Sequence, residues 1–271
     1  MARELAIERD GVRIAGVDFG GSGQPFVLLH GLAGTAVEWS ETGSWLTERG
    51  RVVALDARGH GASERFPGDV SRQAHIADSA FAIEQLGLAP AVVIGHSLGG
   101  QAAMLLADEH PELVRSVVIA DGGPGDHEDA KGIGAAVSYI EASLRRWPVP
   151  FATREDAIAH FGGPGLRAEV WTDGLEQREG GLWPRFDIDV IVRTLRAALE
   201  YPTWQAWERI ASPLLLARAE NGIFTARQAR EMADRSRNVE LVEIPGAGHD
   251  LHLDRPAQWR ATVETFLDEH S

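Results

Sequence analysis

The chain has no cysteine in 271 residues. That absence excludes disulfides, thiolate catalysis and cysteine-ligated metal sites together. Basic residues are in deficit: 26 Lys and Arg stand against 40 Asp and Glu, a formal net charge of −14. Such a balance argues against nucleic acid or an anionic membrane as partner. Solubility alone accounts for it. No uninterrupted apolar run approaches the roughly 18–20 residues needed to span a bilayer. The start, Met1 to Asp10, carries no long apolar stretch of the secretory type. The expectation is a soluble cytoplasmic protein that acts on a small molecule, as a monomer or homodimer.

What is present is core material. Hydrophobic residues make up 44% and charged residues 24%, the composition of an ordinary globular chain. Leu5 to Arg9 and Val12 to Phe19 read as strands around Asp10-Gly11, a strong hairpin-turn dipeptide. Four apolar runs then follow: Pro25 to His30, Val52 to Asp56, Ala91 to Gly95 and Ser116 to Ala120. Continuous runs of this kind suit strands buried on both faces. Helical patterns separate them, as in Ala74 to Leu86, so the fold class is α/β with a parallel sheet.

The pattern changes after Asp121. From Gly122 to about Tyr201 there is no further run of that type, only helical fragments broken by Gly and Pro. Strand and helix then resume with Pro213 to Ala217, Thr225 to Ser236, Val239 to Ile244 and Arg255 to Glu269. The middle block is therefore read as a helical lid, residues 122–205, inserted into a core of residues 1–121 and 206–271.

Gly95-His96-Ser97-Leu98-Gly99 matches the G-x-S-x-G nucleophile elbow, with a strand before it and a helix after it. The turn is tight enough to leave no room for Cβ atoms two residues either side of the serine. The helix N-terminus adds a positive dipole end beside it. Ser97 is the predicted nucleophile. His30-Gly31-Leu32 ends the third strand, and the backbone N–H groups of Leu32 and Leu98 are the expected oxyanion donors. His30 reads as structural, tying its loop down. Gly246-Ala247-Gly248-His249 follows the last strand and makes His249 the predicted general base, with His252 its main rival. His60 reads as structural, and His75, His110, His127, His160 and His270 as surface or lid residues.

Together these segments resemble the α/β-hydrolase superfamily, in its lid-bearing subgroup of small esterases, lactonases and C–C bond hydrolases. The residues that carry the resemblance are His30-Gly31, Asp56-x-Arg58-Gly59-His60-Gly61-x-Ser63, Gly95 to Gly100, and Gly248-His249 with Leu253-Asp254-Arg255-Pro256. It spans essentially the whole chain except the lid. It implies a mostly parallel eight-stranded sheet with helices on both faces, an inserted helical lid and no cofactor.

The chain departs from the family at the triad acid. The usual Asp position falls on or next to Gly222, within Glu220-Asn221-Gly222. Asp121, at the end of the strand after the nucleophile helix, is the first choice. Glu220 is the second, and a Ser–His dyad without an acid is the third. Haloalkane dehalogenases and epoxide hydrolases attack with Asp, so Ser97 sets this chain apart from them. Tyr139 and Tyr201 resemble the epoxide-activating pair but are read as lid packing. Aromatic lid residues, Trp147, Trp171, Trp183 and Tyr139, suggest an apolar substrate pocket. The expected reaction is acyl transfer on an ester or lactone. C–C hydrolysis or perhydrolysis on the same triad, or a receptor with vestigial catalysis, are the alternatives.

Overall fold

Alternating apolar runs and helices require a sheet covered on both sides, and a computed structural model places them so. It describes residues 2–125 and 130–270. The strands among them are β1 (Arg3–Arg9), β2 (Val12–Gly20), β3 (Gln24–Leu29), β4 (Gly50–Leu55), β5 (Ala91–His96), β6 (Val114–Ala120), β7 (Leu175–Arg178), β8 (Gly181–Pro184), β9 (Leu214–Asn221) and β10 (Val239–Gly248). Eight form one sheet in the order β1-β2-β4-β3-β5-β6-β9-β10. β2 runs antiparallel to β1 and β4, and the remaining pairs are parallel.

The helices are α1 (Ser40–Leu46), α2 (Arg72–Gln85), α3 (Leu98–Glu109), α4 (Ala130–Leu144), α5 (Arg154–His160), α6 (Leu166–Asp173), α7 (Ile188–Leu199), α8 (Trp204–Arg209), α9 (Ala226–Asp234), α10 (Leu251–Asp254) and α11 (Pro256–Glu269). Strand side chains alternate between two cores. Val27, Leu29, Val53 and Val93 pack with Ile83, Met104 and Trp207 on one face. Phe26, Leu28, Val52 and Val92 pack with Trp39, Trp259 and Phe266 on the other. Each aliphatic side chain buried this way contributes about 1.5–3 kcal/mol. No helix among the described residues is long and apolar enough to cross a membrane.

Between β6 and β9 lie α4 to α8 and a two-stranded hairpin, β7–β8. The hairpin departs from the all-helical expectation for this block. Glu179-Gly180 closes it, with Gly180 at φ 85° and Gly181 at φ 141°. Those glycines read as breakers in the sequence, but here they make the turn. Two other differences matter for the site. β9 and β10 run past their apolar segments, to Asn221 and Gly248, and these two residues pair after a register shift in β10. That pairing holds the end of β9 beside the residue that follows β10.

Candidate active site

β5 runs straight into Ser97, which takes φ 51° and ψ −112° before α3 begins. Such a conformation costs about 1–3 kcal/mol outside glycine. Its neighbours must be small: a Cβ on Gly95 would lie 2.1 Å from the Gly99 carbonyl oxygen, and one on Gly99 2.1 Å from that of Leu29. The Ser97 N–H donates to the Ala120 carbonyl at 3.0 Å. The elbow is thus tied to the end of β6, one residue before Asp121.

Asp121 is fully buried. Its Oδ1 accepts from the Ala219 N–H at 3.1 Å and its Oδ2 from that of Ile223 at 2.9 Å. Oδ2 also lies 2.8 Å from His249 Nδ1. A carboxylate can only accept there, so Nδ1 carries a proton and Nε2 is left without a partner in this contact. Glu220, the second candidate, is exposed, and its Oε2 accepts from the Gly246 N–H at 2.7 Å instead. His252, the rival base, is buried behind His96 and lines no part of the cavity that holds Ser97. The vacancy at Gly222 has a spatial counterpart. A Cβ there would fall 2.2–2.5 Å from the Asp121 carboxylate atoms. Asp121 therefore fills the space that a side chain at position 222 would need.

Ser97, His249, Leu32 and Leu98 all line one cavity of about 500 Å³. Leu98 is the first residue of α3, where N–H groups have no intrahelical acceptor. Leu32 follows Gly31, whose carbonyl accepts from the Gly34 N–H at 3.0 Å. Much of the lining is apolar, with Ile140, Leu144, Trp147, Trp171 and Phe224. Trp147 and Trp171 therefore lie where the sequence suggests, and the Trp171 Nε1–H donates to Asp250 at 3.1 Å. Tyr139 and Trp183 do not. Tyr139 is 71% exposed, and the Trp183 Nε1–H donates to the Glu179 carbonyl within the hairpin. Tyr201 is likewise exposed.

His30 behaves as the sequence suggests. Its Nε2 accepts from the Ala57 N–H at 3.0 Å, and Nδ1 then donates to the Gly31 carbonyl at 2.7 Å. His75 departs from its surface reading. Its Nε2 is buried beside a separate cavity of about 50 Å³, and burial pushes its pKa down to about 4. His127 lies outside the described residues.

One buried acidic residue beside the site escaped sequence reasoning. Glu38, in a 3₁₀ turn over Ala36–Trp39, is buried beside His96 and His252. Ligand atoms of these three lie within 4.8 Å of one another. However, Glu38 Oε1 lies 2.8 Å from His96 Nδ1, a charge-assisted hydrogen-bond distance, and His96 Nε2 is bonded to the His249 carbonyl. With both ring nitrogens engaged, the set fits a hydrogen-bonded ion pair and not a cation site. No sequence signal marks Glu38, because an acidic residue in a short turn is usually solvated.

The sheet order, the strained serine between β5 and α3, and the acid–histidine contact past the last strand define an α/β hydrolase. Residues 26–262 match the sequence profile of the Alpha/beta hydrolase family, and the chain belongs to it. It is 30% identical over 249 residues to an sn-1-specific diacylglycerol lipase of Mus musculus, covering 89% of this chain and 80% of that protein. It is 26% identical over 255 residues to a 2-(acetamidomethylene)succinate hydrolase of Mesorhizobium japonicum, covering 92% and 89%. The solved structure of an E-2-(acetamidomethylene)succinate hydrolase superposes with a TM-score of 0.88 at 23% identity, covering 99% of this chain and all of that one.

Proposed function

We propose that the chain is a serine hydrolase acting on an ester-type bond, a carboxylic ester or lactone, of a small to medium apolar substrate. The observation that carries this is the 2.8 Å contact between His249 Nδ1 and Asp121 Oδ2. It leaves His249 Nε2 free to accept a proton in the cavity shared with Ser97. In the first step Ser97 Oγ attacks the carbonyl carbon while its proton passes to Nε2. The N–H groups of Leu32 and Leu98 receive the negative charge on the carbonyl oxygen. His249 then returns the proton to the leaving alcohol, and water attacks the acyl-enzyme by the same route. Residues 122–205 act as the lid over the cavity.

The apolar wall favours hydrocarbon acyl groups, in keeping with a relative named as a diacylglycerol lipase. No Lys or Arg appears among the described lining residues; His96 is matched by Glu38, and Asp250 contributes a further carboxylate. That set does not suit a dicarboxylate such as the substrate named for the succinate hydrolase relative. C–C hydrolysis and perhydrolysis on the same triad are the second reading, and a ligand receptor is the third. Labelling with a fluorophosphonate, with hydrolysis of p-nitrophenyl butyrate by native protein and Ser97→Ala, separates the two enzyme readings from the receptor, and relative kcat/KM on ester and β-diketone substrates separates the first reading from the second. Labelling at Ser97 and a loss of at least about 10³-fold in kcat are expected. Undiminished hydrolysis by Ser97→Ala would remove Ser97 from the mechanism.

A further inference from the structure

We propose that Glu38 and His96 form a buried carboxylate–imidazolium pair that positions the oxyanion-donor loop and the general-base loop on either side of Ser97. Glu38 accepts from the Gly31 N–H, with Oε2 at 3.2 Å and Oε1 at 3.4 Å. Gly31 is the residue before Leu32. Glu38 Oε1 also lies 2.8 Å from His96 Nδ1, and His96 is the residue before Ser97. His96 Nε2 in turn lies 3.1 Å from the backbone carbonyl oxygen of His249. One pair of side chains therefore joins all three pieces of the proposed machinery.

The protonation state follows from the partners. A carboxylate and a backbone carbonyl can only accept hydrogen bonds. A neutral imidazole has one N–H and would set its remaining lone pair against one of those oxygens. With Glu38 ionised, as its Gly31, His96 and His252 partners favour, both contacts are made only if both nitrogens donate, so the ring is a cation. The groups around it agree. Asp250 Oδ1 lies 3.8 Å from Nε2, and Asp121 contributes from the end of β6. The His249 and His252 rings lie at 4.6 and 4.9 Å between centroids. Burial opposes the charge, but Glu38, by field and hydrogen bond, with Asp250 and Asp121 behind it, raises His96 to about 9. Glu38 shows the complement. Burial opposes its charge too, yet His96 and His252 hold its carboxyl well below the usual range. Burial pushes His252 down, so it stays neutral.

Space at the joint is limited. A Cβ on Gly31 would lie 2.6 Å from His96 Nδ1, and one on Gly34 2.4 Å from Glu38 Oε2. A buried ion pair adds little net stability compared with apolar packing. What it supplies here is geometry, since a displacement of about 1 Å in a reacting group costs on the order of 100-fold in rate.

The positioning role rests on the Ser97–His249 reading of the site, whereas the charge of His96 does not, so the two fail separately. Ring nitrogens of ¹⁵N-histidine-labelled protein are observed at pH 7.5, with His96 assigned by its loss in His96→Asn. Two protonated nitrogens on His96 are expected, and a bare one overturns the ion pair whether or not the enzyme turns over. For positioning, Glu38→Gln keeps the shape and removes the charge. The expected change on p-nitrophenyl butyrate is a fall of about 100-fold in kcat with KM within about threefold. The alkaline limb of kcat, set near 9 by His96, moves to lower pH. An unmoved limb with kcat intact refutes positioning. If Glu38→Gln does not fold, the alkaline limb of the native enzyme decides: a kcat that stays flat well beyond pH 9 refutes it.

Discussion

The proposed acid, Asp121, shares its space with position 222 on the neighbouring strand, so an acid moved there should serve in its place. Asp121 sits at φ 45°, a backbone position glycine accepts readily. Gly222 lies outside the left-handed region, so an aspartate there is not strained by its backbone. The two positions compete for one space, because a Cβ at 222 would lie 2.2 Å from Asp121 Oδ2. Removing the charge alone, as Asp121→Asn, should lower kcat by about 10⁴-fold, the loss typical when a triad histidine is left without its carboxylate. That corresponds to about 5.4 kcal/mol of transition-state stabilisation. Asp121→Gly should lose as much. It should also cost about 1–3 kcal/mol for each of the Ala219 and Ile223 N–H groups left without an acceptor. Gly222→Asp alone should destabilise, since it drives two carboxylates into one volume. The double variant Asp121→Gly/Gly222→Asp removes the collision and restores an acid to the same place. Its kcat/KM on p-nitrophenyl butyrate should exceed that of Asp121→Gly by about 100-fold, with a higher Tm than Gly222→Asp. A double variant no more active than Asp121→Gly, or an Asp121→Asn enzyme within about tenfold of native, refutes the assignment of the acid.

Two further outcomes follow from the same geometry. Burial holds His75 at about 4, so it stays neutral in the fold while the unfolded chain binds a proton near 6.5. Its contribution is therefore complete above pH 6.5 and is lost as pH falls toward 4, by at most about 3 kcal/mol. His60, depressed by burial and by His30, adds in the same direction. Thermal melts should show a lower Tm at pH 5 than at pH 7.5, and an equal Tm at both contradicts this. In the cavity, the Asp250 carboxylate and a described lining without Lys or Arg should disfavour anionic acyl groups. The mono-p-nitrophenyl ester of succinate should react at least about tenfold more slowly, in kcat/KM, than p-nitrophenyl butyrate, given an unpaired carboxylate near the partly buried Asp250. Equal rates would show that the cavity does not sort by charge.

Much of the fold was legible along the chain. Apolar runs mark β3 to β6 and β9, Asp10-Gly11 marks the first hairpin, and Gly95 to Gly99 marks the elbow. Each of these signals is local, made by the side-chain period of one strand or the steric demand of one turn. The β7–β8 hairpin was also local, but its Gly180-Gly181 looks the same as a helix breaker. Tyr139 and Trp183 could not be separated from Trp147 and Trp171 in the sequence, because lining a cavity depends on how the elements between β6 and β9 pack against the sheet.

By itself, then, the sequence determined the sheet, the place of Ser97 at its turn and the loop that carries His249. It left the acid open between Asp121, Glu220 and none, and gave no sign of Glu38. Only tertiary structure places these carboxylates. β6 and β9 are neighbours in the sheet, and Gly248 pairs with Asn221 past a register shift. Those pairings set the Asp121 carboxylate against His249 and turn Glu220 out to solvent. Glu38 joins His96 across 58 residues of chain and bonds Gly31 from seven residues away. Such contacts are properties of how strands are ordered and registered, and residue spacing does not encode them.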